Sequence, residues 1–243
     1  MTDALPRRAE GWAFFLDFDG TLVDIAAAPD AVIVPDDLAA ILRRVSNKTD
    51  GALAVVSGRT IATLDRFIGP PPFPAAGVHG AELRLPSGER TGLAAPRSVD
   101  RARRAFADLA ERHTGLRLED KGVAVALHFR SAPELEAVAA DLARAIAAET
   151  HGELDVQLGK MVVELRPANA DKGRALASLM EHAPFRGRRP LAIGDDVTDE
   201  PMLERARAFG GMSVRVGAPG PGGATSVYFA DPAAVREWLA ALE

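Results

Sequence analysis

An apolar run, Ala13 to Leu16, stops abruptly at two acids, Asp17 and Asp19, with Gly20 and Thr21 completing the turn. Such a run, bounded by turn formers, predicts a strand buried on both faces. Two carboxylates at the end of a buried strand lie at the mouth of a sheet, where their charge costs free energy unless something positive binds there. The expected counter-charge is a divalent metal, with a phosphate as the ligand beside it. Two more apolar runs end in the same way: Ala52 to Val56 in Ser57-Gly58-Arg59, and Leu191 to Ile193 in Gly194-Asp195-Asp196. Helical patterns accompany them. One opens at Pro35-Asp36-Asp37 with Leu38, Ile41, Leu42 and Val45 on a face. Another spans Thr60 to Phe67, and a third Pro201 to Ala208 with Thr198 or Asp199 available as N-cap. Strand, loop and helix in repetition predict an α/β fold with a doubly wound parallel sheet, which binds ligands beyond the carboxyl ends of its strands. All three polar clusters fall at those ends.

The middle of the chain has a different rhythm. Val99 to His113 predicts a helix with Val99, Ala102, Phe106 and Leu109 on one side, and Pro133 to Thr150 predicts a second. Leu116 to Lys121 and Val123 to Arg130 predict a hairpin about Gly122. Leu154 to Leu158 and Met161 to Arg166 predict another about Gly159-Lys160. Alternating polarity marks an antiparallel sheet with one covered face. Residues 97–167 are therefore expected to form an α/β cap domain inserted into a core made of 1–96 and 168–243. Alternation puts Val123, Val125, Leu127 and Phe129 on one face, and His128 and Arg130 on the other. It likewise opposes Met161, Val163 and Leu165 to Lys160, Glu164 and Arg166, and makes Glu119 and Lys121 co-facial. That polar face is either a solvated surface or a ceiling over a site. Its mixed acids and bases suit a neutral ligand with many hydroxyls. Pro70-Pro71-Pro72 and Gly217 to Gly223 are expected as surface loops.

Composition narrows the function. With 243 residues there is room for one large domain or for a domain with an insertion. A net charge of −5 with no basic stripe argues against nucleic acid. The chain has no cysteine, which excludes disulfides, thiolate metal sites and a cysteine nucleophile. Met1 to Arg8 lacks the apolar core of a signal peptide, and no apolar run approaches the roughly 18 residues of a membrane span. The expectation is a cytoplasmic monomer without a membrane partner. Within the first cluster Asp17 can act as a nucleophile that forms an acyl phosphate, and Asp19 as the acid and base. Mg²⁺ and Lys172 would offset the repulsion between Asp17 and a phosphate dianion. Asp195 is the expected distal metal ligand, and Asp196 and Asp199 would orient metal waters or Lys172. Ser57 and the following Gly58 amide, together with Gly20 and Thr21, could hold phosphoryl oxygens. Each element has a plainer reading alone, as a turn, a cap or, for His79, a satisfied strand-end histidine.

Asp17-Phe18-Asp19-Gly20-Thr21-Leu22, Ser57-Gly58-Arg59, Lys172-Gly173 and Gly194-Asp195-Asp196-Val197-Thr198-Asp199-Glu200 resemble the four motifs of the haloacid-dehalogenase-like phosphotransferases. Gly77-Val78-His79-Gly80-Ala81-Glu82, Glu119-Asp120-Lys121-Gly122, His128-Phe129-Arg130 and Gly159 to Pro167 are similar to marks of the trehalose-6-phosphate phosphatase family within that superfamily. The resemblance implies Asp17 as the phosphorylated residue and Asp19 as acid/base. It implies Mg²⁺ on the Asp17 carboxylate, the Asp19 carbonyl and Asp195, and phosphate held by Ser57 and Lys172. Disaccharide contacts would fall to Glu119, Lys121, Arg130, Lys160 and Glu164; Arg59, His79, Gly80 and His128 are placed beside them as substrate-binding. Phe18 stands where the family often has tyrosine. The synthase domain fused to some relatives is missing here, so the resemblance implies a stand-alone phosphatase acting on a small sugar phosphate. Rival readings are a phosphatase for sucrose 6-phosphate or mannosyl-3-phosphoglycerate, a phosphomutase, and a sugar-phosphate-binding regulator without turnover.

Overall fold

The computed structural model describes residues 5–26, 29–70, 72–217 and 227–243. Pro71 and most of the Gly217 to Gly223 stretch lie outside them. In chain order the elements are β1 (Trp12–Leu16), α1 (Leu38–Lys48), β2 (Leu53–Val56), α2 (Ile61–Ile68), β3 (Ala75–Gly77), β4 (Glu82–Arg84), β5 (Arg90–Gly92) and α3 (Ser98–Arg112). Next come β6 (Arg117–Asp120), β7 (Val125–His128), α4 (Glu136–Glu149), β8 (Leu154–Gly159), β9 (Val162–Pro167) and α5 (Lys172–Met180). The chain continues with β10 (Arg189–Gly194), α6 (Glu200–Ala208), β11 (Met212–Val216), β12 (Tyr228–Phe229) and α7 (Pro232–Ala241). Two compact units result, Met1–Thr91 with Asp171–Glu243, and Gly92–Ala170.

The first unit is built on an eight-stranded sheet in the order β12-β11-β10-β1-β2-β3-β4-β5. The pairs from β12 through β3 are parallel, and β4 runs antiparallel to β3. Alternation along β1 sends Phe14 and Leu16 into one layer with Leu38, Leu42 and Val45 of α1, Leu64 of α2 and Val235 of α7. Ala13 and Phe15 face the other layer, with Leu176 and Leu179 of α5 and Met202 and Leu203 of α6. Burial on both faces is why these strands read as unbroken apolar runs rather than alternating ones. From β1 the chain steps outward through β2 and β3, and later returns on the opposite side at β10. The gap between the ends of β1 and β10 is therefore the topological switch point, where α/β sheets bind ligands.

The second unit is a four-stranded antiparallel sheet in the order β6-β7-β9-β8. One face buries Val125, Leu127, Val163 and Leu165 against Val99, Ala102, Phe106 and Leu109 of α3 and Ala139, Ala143 and Ile146 of α4. The α3 face is the one the periodicity predicts. The second hairpin differs by one residue from the expectation. Gly159 still pairs with Val162, so Lys160-Met161 form the turn. Met161 has φ +62° and its side chain is exposed, so it does not share the face of Val163 and Leu165. A left-handed residue ends the two-residue period that the sequence argument extended through it.

Candidate active site

β1 ends where its hydrophobic layer ends, and Asp17 follows directly, buried at 4% exposure. Its amide donates to the Ile193 carbonyl at 3.0 Å, locking the acid to the end of β10. Lys172 opens α5, whose N-cap is Asp171; the Asp171 carboxylate accepts from the Arg174 amide. The Lys172 Nζ donates to Asp17 Oδ1 and to Asp199 Oδ1, each at 2.6 Å. The second oxygen of Asp199 accepts the amides of Asp195 and Asp196, both at 3.0 Å. Asp199 is thus fully buried and fully hydrogen-bonded, and holds both Lys172 and the 195–196 turn in place.

Carboxylate oxygens of Asp17, Asp195 and Asp199 lie within 4.8 Å of one another. Hard oxygen donors at this density suit a hard divalent cation. Gly20 lets them approach: at φ +82°, a Cβ there would stand 2.2 Å from Asp195 Oδ2. Burial pushes the Asp17 carboxyl well above the usual carboxylate range; Asp199 and Asp195 push the same way, and Lys172 pulls against them. Burial also opposes the charge on Lys172, yet Asp17 and Asp199 outweigh it and hold the ammonium protonated. Three acids against one base leave a negative excess, which a cation would neutralise.

Around this cluster stand the other core residues. Ser57 is 1% exposed, and its Oγ accepts the Arg59 amide at 3.1 Å, which leaves its hydroxyl proton available. The Thr21 Oγ1 is buried with no hydrogen-bond partner among the described residues, an orphan that an incoming acceptor would satisfy. A Cβ on Gly58 would stand 2.6 Å from His79 Nε2, so that ring lies against the Ser57-Gly58 turn. Val78 and His79 both hold left-handed backbone, at φ +47° and +54°, and Gly80 abuts the Asp171 carbonyl. For a β-branched residue such a φ is strained. The Val78 and His79 amides anchor the turn to Arg59 and Ser57 carbonyls at 2.9 and 3.0 Å.

Three side chains make contacts that the sequence alone does not specify. Asp196 accepts the Val197 amide at 2.7 Å and caps the short helical turn at 197–199. Asp199 occupies the N-cap position of α6 without making a side-chain cap bond, because its carboxylate is committed to Lys172 and the two amides. Arg59, expected to bind substrate, directs its guanidinium at Asp19, with Nε to Oδ2 at 2.6 Å and Nη2 to Oδ1 at 2.8 Å. Glu82, given no role by the sequence, accepts the Ile61 amide at 2.7 Å and so satisfies an orphan donor at the start of α2. Only its place in the Gly77 to Glu82 stretch signalled it.

In the second unit, Lys121 Nζ meets Glu164 Oε2 at 2.5 Å, with both side chains buried, and Glu119 Oε2 lies 2.7 Å from His128 Nε2. Glu119 and Glu164 each face Ala126 across the sheet, so a small residue separates the two acids. Arg130 and Lys160 are exposed beyond the strand ends, where Arg130 donates weakly to the Lys160 carbonyl at 3.4 Å. Neither belongs to the sheet face on which alternation placed it.

The sequence profile described as trehalose-phosphatase matches residues 15–226. The chain belongs to the trehalose-phosphatase family. A probable trehalose-phosphate phosphatase of Sinorhizobium fredii is 42% identical over 239 residues, covering 98% of this chain and 90% of the relative. Among solved structures, the C-terminal domain of Candida albicans trehalose-6-phosphate phosphatase superposes with a TM-score of 0.81 at 25% identity, covering 97% of this chain and 92% of that one. A Bacteroides thetaiotaomicron phosphatase of the haloalkanoate (HAD) superfamily shares the fold at a TM-score of 0.60 and 18% identity, covering 97% and 96%. The trehalose-phosphatase family thus supplies the context for the acids at the switch point. Among the described residues no helix is long and apolar enough to cross a membrane.

Proposed function

We propose that the chain is a phosphomonoesterase that hydrolyses trehalose 6-phosphate to trehalose and phosphate. The observation that carries this reading is the Asp17–Lys172–Asp199 chain beside Asp195 at the switch point, in a member of this family. Asp17 is the nucleophile. One of its oxygens bonds to phosphorus as the bond from phosphorus to the sugar O6 breaks, and Asp19 gives that oxygen its proton, releasing trehalose. Asp19, now a carboxylate, takes a proton from water; the water oxygen attacks phosphorus, the Asp17 acyl-phosphate bond breaks, and phosphate leaves. Lys172 favours the ionised form of Asp17 and balances charge on the phosphoryl oxygens. Ser57, the Gly58 and Gly20 amides and the Thr21 hydroxyl donate to those oxygens. Asp17, Asp195 and the Asp19 carbonyl would hold Mg²⁺. That ion supplies Lewis-acid polarisation and relief of the repulsion between carboxylate and phosphate.

We assign catalysis to the first unit and sugar reading to the second. The Glu164, Lys121 and Glu119 heads offer the paired donors and acceptors that hydroxyl-rich ligands need. The test is phosphate release from a panel of trehalose, sucrose, glucose and mannosylglycerate phosphates, each with and without chelator. The expected result is fastest release from trehalose 6-phosphate, abolished by chelator and restored by Mg²⁺. Faster turnover of another sugar phosphate would replace the substrate; stoichiometric binding without phosphate release would replace the enzyme with a regulator.

A further inference from the structure

Resting on the role proposed for Asp19, we propose that Arg59 is a positioning residue that fixes the Asp19 carboxylate for proton transfer, through a fork backed by an aromatic wall. Asp19 has a third of its side chain exposed, and it lies beyond the end of β1, outside any strand of the sheet, with an isolated bridge to Val23. A carboxylate so placed rotates unless it is held. The two-point contact with Arg59 sets both the plane and the direction of the group, which a single hydrogen bond cannot do.

Arg59 is itself held on three sides. Its amide donates to Ser57 Oγ and its carbonyl accepts from Val78. Thr60, the next residue, caps α2 by accepting from the Thr63 amide. Its guanidinium lies 5.0 Å from the Phe67 ring centre and 5.8 Å from that of Phe18. Those rings stack at 5.9 Å and 16°. Phe18 is the residue between the two aspartates, so the same backbone segment supplies the nucleophile, the wall and the acid. Because both Oδ atoms engage the fork, a proton exchanged with the leaving oxygen or with water uses the remaining lone pairs in a fixed direction. A misplacement of about 1 Å at a reacting group can cost on the order of 100-fold in rate.

Leaving-group dependence separates this role from binding or general support. Arg59→Met removes the fork and keeps an apolar stem against Phe67; Arg59→Lys keeps the charge and loses the fork. Each is compared with Asp19→Asn on trehalose 6-phosphate, whose alcohol needs a proton to depart, and on p-nitrophenyl phosphate, whose phenolate does not. The expected result is a kcat on the sugar phosphate lowered about 10–100-fold in both Arg59 variants. KM should be nearly unchanged, and the first-turnover release of p-nitrophenolate should stay within about 3-fold of the parent, as in Asp19→Asn. A raised KM at unchanged kcat would overturn the proposal in favour of direct substrate binding. Equal losses on both substrates would overturn it in favour of a structural role, as would full activity in Arg59→Lys. If Asp19→Asn itself lacks the leaving-group split, the acid/base reading of Asp19 fails; if Asp19→Asn shows it and the Arg59 variants do not, only the positioning role fails.

Discussion

Lys172→Met should destabilise the metal-free protein severely at neutral pH and much less in acid. Lys172 is 3% exposed and is the cation that Asp17 and Asp199 share, both within 2.6 Å and both buried. Methionine fills a similar volume, so the cost lies in stranding buried carboxylate charge and not in a cavity. Removing one partner of a buried ion pair costs about 3–5 kcal/mol. For a chain of this size that corresponds to a Tm lower by about 6–20 °C. The pH dependence has a fixed sign. The folded-state Asp17 carboxyl titrates above its ordinary value, through burial and the neighbouring acids. Between the ordinary and the raised value the folded protein holds a proton that the unfolded chain has released, so stability falls as pH rises through that window. Loss of Lys172 removes the influence that lowers the Asp17 value and widens the window. The gap between variant and parent should therefore close as pH drops from 7.5 toward 5. Urea unfolding in chelator across that range measures it, and adding Asp17→Asn to Lys172→Met should recover part of the loss at pH 7.5. A penalty below about 1 kcal/mol, or one independent of pH, would refute the view that Lys172 neutralises buried charge.

Asp17→Asn should abolish phosphate release, by at least about 10³-fold, since an amide oxygen forms no stable acyl phosphate. In chelator the same variant should melt at or above the parent temperature at pH 7.5, because it mimics the neutral carboxyl that burial favours; a lower melting temperature would contradict that electrostatic account. Glu164→Ala should raise KM for trehalose 6-phosphate by about 10–150-fold, the equivalent of one charged hydrogen bond, and leave KM for p-nitrophenyl phosphate nearly unchanged. Steady-state kinetics on both substrates decides, and parallel changes would argue against sugar reading by the second unit.

Some elements were plain in the sequence because local pattern and burial agree. β1, β2 and β10 are buried on both faces, so their apolar runs needed no partner to be recognised. The inward positions of α1 and α3 follow from a period near 3.6, and both match residue by residue. β3, Ala75–Gly77, was not legible: it is three small residues, fully enclosed, with no period and no β-branched side chain. The turn at Lys160-Met161 was misplaced by one residue because Gly159 looks like the turn former, while the ladder continues through it. The Arg59 contact is not legible in the sequence for a different reason. Its motif marks it as functional, but a free guanidinium can address a phosphate or a carboxylate equally well, and only the fold presents it with Asp19.

The sequence by itself determined strands β1, β2 and β10, helices α1 to α4 and α6 and the two hairpins of the second unit, that polar clusters terminate the apolar runs, and that carboxylates stand where a parallel sheet binds ligands. Those are local properties, written in periodicity and in residue type. Only the tertiary structure decided who faces whom: Lys172 bridging two acids, one of them 155 positions away, and Arg59 gripping Asp19 across 40. Pairings of that kind depend on strand order and on how two layers of helices pack against one sheet. Burial then makes the Lys172 pairings nearly obligatory, because a charge enclosed without a partner costs more than the chain's marginal stability can absorb.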